Sequence, residues 1–241
     1  KAALEWGATQ PSSAESVLRL LGAFPDLWFM RIDLTSCENA LRNLLKANES
    51  AVSAHTRIKA LIGLGSMALL FRGDIGESYE NLHLSLKLSR ELDDRPGIAC
   101  ALFNLGYVVG AMLDLENDRR YMEECLTICR EIGDPIGISA SKQELGNTLY
   151  WQGEKVLGRE FIEESLVELR GLGVHHYAAR AIMLLGNIAR REGNYEKARS
   201  LYIQGINAVE NRFSRPLAAF MGVETLGVLA AAEKQYERAA R

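Results

Sequence analysis

The residues best suited to metal or redox chemistry are four cysteines, at positions 37, 100, 125 and 129. Cys125 and Cys129 are four residues apart, so a helix would place both on one face, as half of a metal site or as a redox pair. A zinc site needs three or four ligands, and no histidine lies near this pair in the sequence. We therefore expect both thiols to serve packing, and we expect no metal and no cofactor.

Histidines, carboxylates and glycines also fail to form a catalytic set. His175 and His176 are adjacent, so their side chains would point apart on a helix. The glycine-rich stretch 63–76 lacks the lysine and the preceding strand of a phosphate-binding loop. A carboxylate pair, Glu123/Glu124, recurs further along the chain as Glu163/Glu164. Such repetition is typical of a solvated helix face, and we expect the chain not to be an enzyme.

A repeat organises the whole chain. Leu-Gly pairs stand at positions 64/65, 105/106, 145/146, 185/186 and 226/227, so the successive steps between them are 41, 40, 40 and 41. Self-similarity with a period of roughly 20 to 50 residues is the pattern of solenoid proteins, in which one small structural unit is stacked many times. Any functional residue must therefore be read by its position within this unit.

Each copy of the repeat contains two amphipathic helices joined by a turn. Gly73, Gly153 and Gly193 occupy the turn, where glycine tolerates the left-handed conformation that ends many helices. In one link between copies, Asp134 can cap the next helix and Pro135 fits its first turn, where a missing N–H costs nothing. The sequence thus predicts a regular alternation of helix, turn, helix and link.

Small residues recur where paired helices must approach each other closely. The glycine of each Leu-Gly pair forms one row, and a second row consists of Ser85, Cys125, Ser165 and Gly205. Large apolar residues form a complementary row: Leu82, Met122, Ile162 and Tyr202. A third row of small residues, interrupted by Asp118, consists of Ser78, Gly158, Ala198 and Ala239. Larger side chains in the small rows would push the helices apart.

These rows, as in LLGNIARREGNYEKARSLY (184–202), resemble tetratricopeptide (TPR) repeats, whose usual unit is about 34 residues. Because the unit here is longer than that, we expect each helix to be about one turn longer. The segments 113–134 and 153–173 are most similar to the C-terminal sensor arrays of bacterial STAND-type ATPases that regulate transcription. Rap-type peptide sensors and animal spindle-orientation adaptors have similar long units. The resemblance implies an all-α, TPR-like α-solenoid, a right-handed superhelix of antiparallel helix pairs.

The same resemblance predicts the domain organisation. Residues 1–10 would form a helix joining the array to a preceding domain, and 11–55 an atypical first repeat. Residues 56–241 would form four full repeats of the long unit plus a truncated fifth, all within one continuous solenoid domain. Since the chain starts without a methionine and stops within a predicted helix, we expect it to be a piece of a longer protein.

Composition excludes several classes of partner. A net charge of −3 and a pI near 5.9 give no basic field, so we expect no direct binding of nucleic acid by this chain. Charged residues interrupt every apolar run before it is long enough to span a membrane, and no apolar leader opens the chain. We therefore expect no membrane partner and a cytoplasmic location. The sequence leaves the oligomeric state open.

In TPR arrays the first helix of each unit lines the concave groove, so the resemblance assigns inward positions to this chain. The candidate binding residues are Phe103, Asn104, Tyr107, Gln143, Asn147, Tyr150, Arg180, Asn187, Arg190 and Glu224. Further inward positions hold Glu144, Trp151, Met183 and Arg191. Amides, aromatic rings and arginines bind peptide backbones, apolar side chains and carboxylates. We expect a protein, a peptide or a small anionic effector there.

Within this set, the third and fourth units place an amide, an aromatic ring and a guanidinium group at equivalent positions of neighbouring helices. We therefore expect the ligand to lie on the part of the concave surface that contains Asn147, Tyr150, Asn187 and Arg190.

Two functions remain open. The chain could be the effector-sensing region of a larger STAND-type signalling ATPase and transcription regulator, or a free-standing TPR adaptor or peptide-sensing scaffold.

Overall fold

The computed structural model describes residues 34–47, 52–208, 227 and 229–231. Over these residues the chain is helical, with one π-helix and no strand. The α-helices are α1 (Leu34–Ala47), α2 (Ala54–Met67), α3 (Ile75–Glu91), α4 (Arg95–Ala111), α5 (Leu115–Ile132), α6 (Pro135–Trp151), α7 (Lys155–Gly171), α8 (His175–Arg191) and α9 (Tyr195–Ala208). The prediction of an all-α repeat protein is confirmed. None of the described helices is long and apolar enough to span a membrane.

The chain forms two compact units, residues 1–134 and 135–241. In the first unit α2 packs against α3 and α4 against α5; in the second α6 packs against α7 and α8 against α9. The predicted joining helix 1–10 and most of the atypical first repeat fall outside the described residues. So does most of the predicted truncated fifth repeat.

The length of the repeat follows from its parts. Both α6 and α7 have 17 residues, and a three-residue link follows each of them, at 152–154 and 172–174. Two such helices and two such links account for the spacing of the Leu-Gly pairs, and helices of this length explain why the unit exceeds the usual one. Gly153 and Gly173 adopt left-handed φ angles of 99° and 70° in these links, as a helix-ending glycine requires.

A π-helix explains why the first step of the repeat is one residue longer than the second. Residues Ala68–Arg72 form this π-helix directly after α2. The turn glycine, Gly73, stands eight residues after Gly65, whereas Gly153 stands seven residues after Gly146. A π-helix closes its hydrogen bonds over five residues instead of four, so it accommodates one extra residue inside a helix. The insertion therefore does not disturb the next turn.

The rows of small and large residues pack as the sequence predicts. A methyl group placed on Gly186 would lie 2.6 Å from the Tyr202 ring, and one placed on Gly65 would lie 2.7 Å from Leu82. Met122 approaches Gly106 in the same way. Each Leu-Gly glycine in 52–208 is thus covered by the large apolar residue of the following helix.

The second small row touches backbone. Ser85 Oγ donates to the Ile58 carbonyl oxygen at 3.4 Å, and Cys125 Sγ donates to the Ala99 carbonyl oxygen at 3.3 Å. Both acceptors lie seven residues before a Leu-Gly glycine. A large side chain in this row would collide with the backbone of the facing helix.

Asp118 interrupts the third small row, and a second exception accommodates it. Asp118 is buried on α5, where equivalent positions hold Gly158 or Ala198. A methyl group placed on Gly110 would lie 3.1 Å from an Asp118 carboxylate oxygen. The position equivalent to Gly110 is Tyr150 in α6, so the α4–α5 pair has its glycine on the first helix, whereas the α6–α7 pair has it on the second, at Gly158.

Replacing Gly146 by alanine should destabilise the protein. The new methyl group would lie 2.7 Å from the Gly158 carbonyl oxygen, a backbone atom that cannot rotate away. Overpacking of this kind costs about 1 to 3 kcal/mol. In the control, Gly171→Ala, the methyl group would meet no atom within 4 Å, and stability should rise by about 0.4 to 1 kcal/mol. Urea denaturation compares the two; equal midpoints would contradict the close approach of α6 and α7.

Candidate functional site

The thiol pair on α5 is part of the helix packing. Cys125 Sγ and Cys129 Sγ lie 4.0 Å apart, both buried, and Cys125 also donates to the carbonyl of Ala99 on α4. Within the described residues, no three His, Cys, Asp or Glu side chains are grouped closely enough to hold a metal ion. Cys125 thus occupies the small-residue row, as the sequence predicts, and Cys129 is buried beside it.

A serine and a lysine meet at the interface of α6 and α7, but they do not form a nucleophile and its base. Ser139 Oγ donates to Glu168 Oε2 at 2.6 Å, and Lys142 Nζ donates to Glu168 Oε1 at 2.6 Å. Burial would lower the pKa of Lys142, but hydrogen bonds to Glu168 and Glu164 outweigh it and raise the pKa. The amine therefore stays protonated and cannot accept a proton from Ser139.

A polar strip runs along α6 and α8 in the second of the two compact units, residues 135–241. On α6 it contains Glu144, Asn147 and Trp151, spaced by three and four residues, so one helix face presents all three. On α8 it contains Arg180, Asn187 and Arg191, spaced by seven and four. We call these six residues the α6–α8 strip. At each of its two ends, a side chain of α8 contacts a side chain of α6.

At one end, Arg180 binds Glu144 through two hydrogen bonds. Arg180 Nε donates to Glu144 Oε1 at 2.5 Å, and Nη2 donates to Oε2 at 2.8 Å. The Glu144 side chain is 5% exposed, whereas that of Arg180 is 30% exposed. Gln143 Nε2 also donates to Glu144 Oε1, at 3.0 Å. This buried carboxylate is thus held by a forked charge-assisted pair, which neutralises both groups.

At the other end, Arg191 stacks on Trp151. The guanidinium carbon lies 3.4 Å from the centre of the indole ring, and the Trp151 residue is 44% exposed. Both residues stand five positions after a Leu-Gly glycine, so the repeat brings them to equivalent ends of neighbouring helices. A guanidinium group over an indole face is attracted by the π electrons.

Two asparagines lie between these contacts. Asn187 is half-buried, and its Oδ1 accepts a hydrogen bond from the Tyr202 hydroxyl at 2.8 Å, which leaves its amide NH₂ to donate elsewhere. Burial raises the pKa of Tyr202, and a hydrogen bond to Arg190 offsets part of that rise. Asn147 is half-buried and makes no hydrogen bond within the part of the chain that the structure describes.

Three predicted binding residues of the second compact unit are not part of the α6–α8 strip. Gln143 is fully buried, and its Oε1 has no hydrogen-bond partner in the described region. Tyr150 is buried and packs in a core cluster with Ile162 and Leu166. Arg190 is half-buried with an unpaired Nε.

The predicted binding residues of the first compact unit, residues 1–134, lie on α4. Phe103 and Tyr107 pack edge to face, with ring centres 5.1 Å apart. Asn104 Oδ1 accepts from Ser66 Oγ at 2.9 Å, and this bond joins α4 to α2. All three predicted residues are half-buried. The remaining predicted residue, Glu224, lies outside the described residues.

One polar cluster of the first unit has no counterpart in the sequence predictions. The rings of Tyr79 and His83 on α3 lie 4.2 Å apart, and Tyr121 Oη on α5 lies 3.3 Å from His83 Nε2. Burial lowers the pKa of His83, and the charges of Arg90 and Arg120 lower it further, so the ring is neutral near pH 7. The only sequence signal is the spacing of four residues between Tyr79 and His83.

Removing one partner of the forked pair should cost stability. Arg180→Gln leaves the buried carboxylate of Glu144 without its cation, at a cost of about 1 to 3 kcal/mol. The double variant Glu144→Gln/Arg180→Gln should recover most of that loss, because no buried charge remains. Arg191→Gln, on an exposed side chain, should change stability by less than about 0.5 kcal/mol. If urea denaturation gave equal stabilities for Arg180→Gln and the wild type, the pair would not bridge α6 and α8.

No protein-family model matches the chain, and no curated protein matches it. Solved structures do. The chain is similar to NprR in complex with its cognate peptide NprX, with a TM-score of 0.69 and 15% identity over 94% of this chain and 64% of that one. It is also similar to the apo form of RapI, with a TM-score of 0.66 and 14% identity over 90% of this chain and 81% of that one.

A third similar structure is PH0952 from Pyrococcus horikoshii, a STAND protein with a tetratricopeptide repeat sensor. The TM-score is 0.61 with 17% identity, over 92% of this chain and 34% of that one. At such identities the likeness concerns the fold alone. The fold is that of a TPR-like helical repeat, in agreement with the resemblance found in the sequence.

Proposed function

We propose that this chain is a non-catalytic module that binds a peptide or an extended protein segment on the α6–α8 strip. The observation that supports this most is the position of Asn147. Its half-buried amide has no partner among the described residues, and it lies between two contacts that fix the neighbouring helices. A half-buried side-chain amide whose donor and acceptor are both available, and which lies between two inter-helix contacts, is suited to hydrogen-bonding another chain.

The chemistry of the two asparagines suits a peptide backbone. An asparagine side chain offers both a donor and an acceptor, as a peptide group does, so one Asn can pair with one peptide unit. Asn187 is restricted by Tyr202, which occupies its oxygen and leaves its NH₂ to donate to a carbonyl oxygen. Asn147 can both donate and accept. Together they would bind an extended backbone without requiring a particular side chain.

The similar structures support the same class of function. NprR is seen with its cognate peptide NprX, and PH0952 carries a TPR sensor within a STAND protein. We therefore propose that this module is the effector-sensing region of a larger STAND-type signalling ATPase that regulates transcription. The alternative is a free-standing adaptor or peptide-sensing scaffold, for which the likeness to RapI, over 81% of that chain, is the specific support.

Peptide binding can be tested with a random hexapeptide library displayed on phage and selected against the immobilised chain. The enriched peptides are then synthesised with a fluorescent label, and their affinities are measured by fluorescence polarisation. Asn147→Ala should weaken binding about fivefold to tenfold, the value of one or two neutral hydrogen bonds. Its melting temperature should not change, because no described residue depends on this amide.

The matched control for Asn147→Ala is Val167→Ala, on the exposed face of α7, which should bind as the wild type does. Failure of every peptide to bind above background would overturn the proposal that this is a peptide-binding module. Equal affinities of Asn147→Ala and wild type would leave peptide binding intact but remove it from the strip.

The genomic sequence around this chain distinguishes the two candidate roles. For the STAND-type regulator, the gene should encode a P-loop of the form G-x-x-x-x-G-K-[ST] upstream of Lys1, because such a loop binds the nucleotide phosphates. It should also encode a DNA-binding domain. A gene without an ATPase domain would support the adaptor or peptide-sensing scaffold instead.

A further inference from the structure

We infer that the ligand of the α6–α8 strip carries a carboxylate, and that Arg191 binds this carboxylate beside Trp151. This inference rests on the proposed function and assigns the chemistry of one end of the ligand. It assigns the anion to Arg191 and not to Arg180 or Arg190, two of the predicted binding residues. The assignment follows from comparing what each guanidinium group of the strip already binds.

Arg180 is already neutralised. Both oxygens of Glu144 accept hydrogen bonds from it, and this carboxylate is almost completely buried. An anionic ligand that took Arg180 away would leave Glu144 charged and buried without its cation, which is strongly unfavourable. A ligand that shared Arg180 would place a second negative charge next to Glu144. This end of the strip therefore rejects anions.

Arg190 is not well placed either. It lies close to the buried Tyr202 hydroxyl and offsets part of the rise that burial causes in the pKa of that hydroxyl. Its Nε is enclosed by protein atoms. A ligand carboxylate could reach this Nε only by entering the protein interior, so Nε is not available to the ligand and Arg190 contributes its charge to the region.

Arg191 has the opposite properties. In the described part of the chain its one recorded interaction is the stack on Trp151, and no carboxylate pairs with it. The adjacent Glu192 is engaged by Arg159 of α7, so it does not neutralise Arg191. A guanidinium group that lies on a ring keeps its N–H edge free in its own plane, and that edge matches the two oxygens of a carboxylate.

The stack also prepares Arg191 for binding. A free arginine loses much side-chain entropy when it binds a ligand, whereas one already held on Trp151 has lost part of that entropy beforehand. The C-terminal ends of α6 and α8 oppose an anion here, with about half an elementary negative charge each. Arg191 and Arg190 each carry a full positive charge at this end, so the net local charge is positive and still favours an anion.

The ligand class follows from these contacts. Its carboxylate, that of an Asp or Glu side chain, would bind the edge of Arg191. An apolar or flat side chain next to it would pack on the exposed part of Trp151. From there the backbone would pass Asn187 and Asn147 toward the neutral Glu144–Arg180 end, so the acidic residue lies at the Arg191 end of the bound segment.

The test uses the hexapeptides enriched from the random library, each synthesised in two forms. The carboxylate form keeps its Asp and Glu residues, and the amide form carries Asn for Asp and Gln for Glu; the C-terminus is amidated in both. In the wild type the carboxylate form should bind at least tenfold more tightly. Arg191→Gln should abolish this preference, with an unchanged melting temperature and with the amide form bound as before.

The matched control removes the other guanidinium group without leaving a buried charge. The double variant Glu144→Gln/Arg180→Gln should keep the preference for the carboxylate form within about threefold of the wild-type ratio. Loss of the preference in this variant, or its survival in Arg191→Gln, would overturn the assignment. Peptides that bind equally well in both forms would overturn it too, while leaving the proposed function intact. If no peptide bound, the proposed function would fail, and this inference with it.

Discussion

The fold depends on one close approach, the contact of each Leu-Gly glycine in 52–208 with the large apolar residue of the next helix. Gly186 lies against Tyr202, and Gly146 lies against backbone as well as against Ile162. With no side chain on one helix, the axes of the pair come close enough for dispersion contacts along their whole length. Because this contact recurs once in each repeat between residues 52 and 208, it fixes the rotation of the first helix of those repeats. The rotation then decides which side chains are buried and which form the α6–α8 strip.

Much of the fold was predictable from the sequence because its signals are local and repeated. Rows of glycine and of large residues at a fixed spacing indicate helix pairs even where no single residue is diagnostic. Two features were not predictable in this way. The additional residue near Gly73 is visible as a longer first step, but the step does not say whether a turn or a helix absorbs it. Asp118 looks like an interruption, and only the facing Gly110 shows how its side chain is accommodated.

The site was less predictable, since its chemistry depends on pairing across helices. The period correctly places Asn147 and Asn187 on neighbouring first helices, but it cannot show that Arg180 is paired with Glu144. It also cannot show that Tyr150 belongs to the core. A residue's position in the repeat predicts the face it occupies, whereas its availability depends on the side chain opposite. For the same reason, the stack of Arg191 on Trp151 becomes evident only when both helix ends are placed.

The π-helix at Ala68–Arg72 has a consequence for how such an array can change over time. A one-residue insertion in a turn would alter the angle between two helices, and the orientation of every later repeat would change with it. An insertion absorbed inside the last turn of a helix leaves the turn at Gly73 and its left-handed glycine intact. The insertion lengthens the end of that helix, where Leu70 and Phe71 are exposed. A repeat protein can thereby acquire new surface in one unit while the register of its neighbours is inherited unchanged.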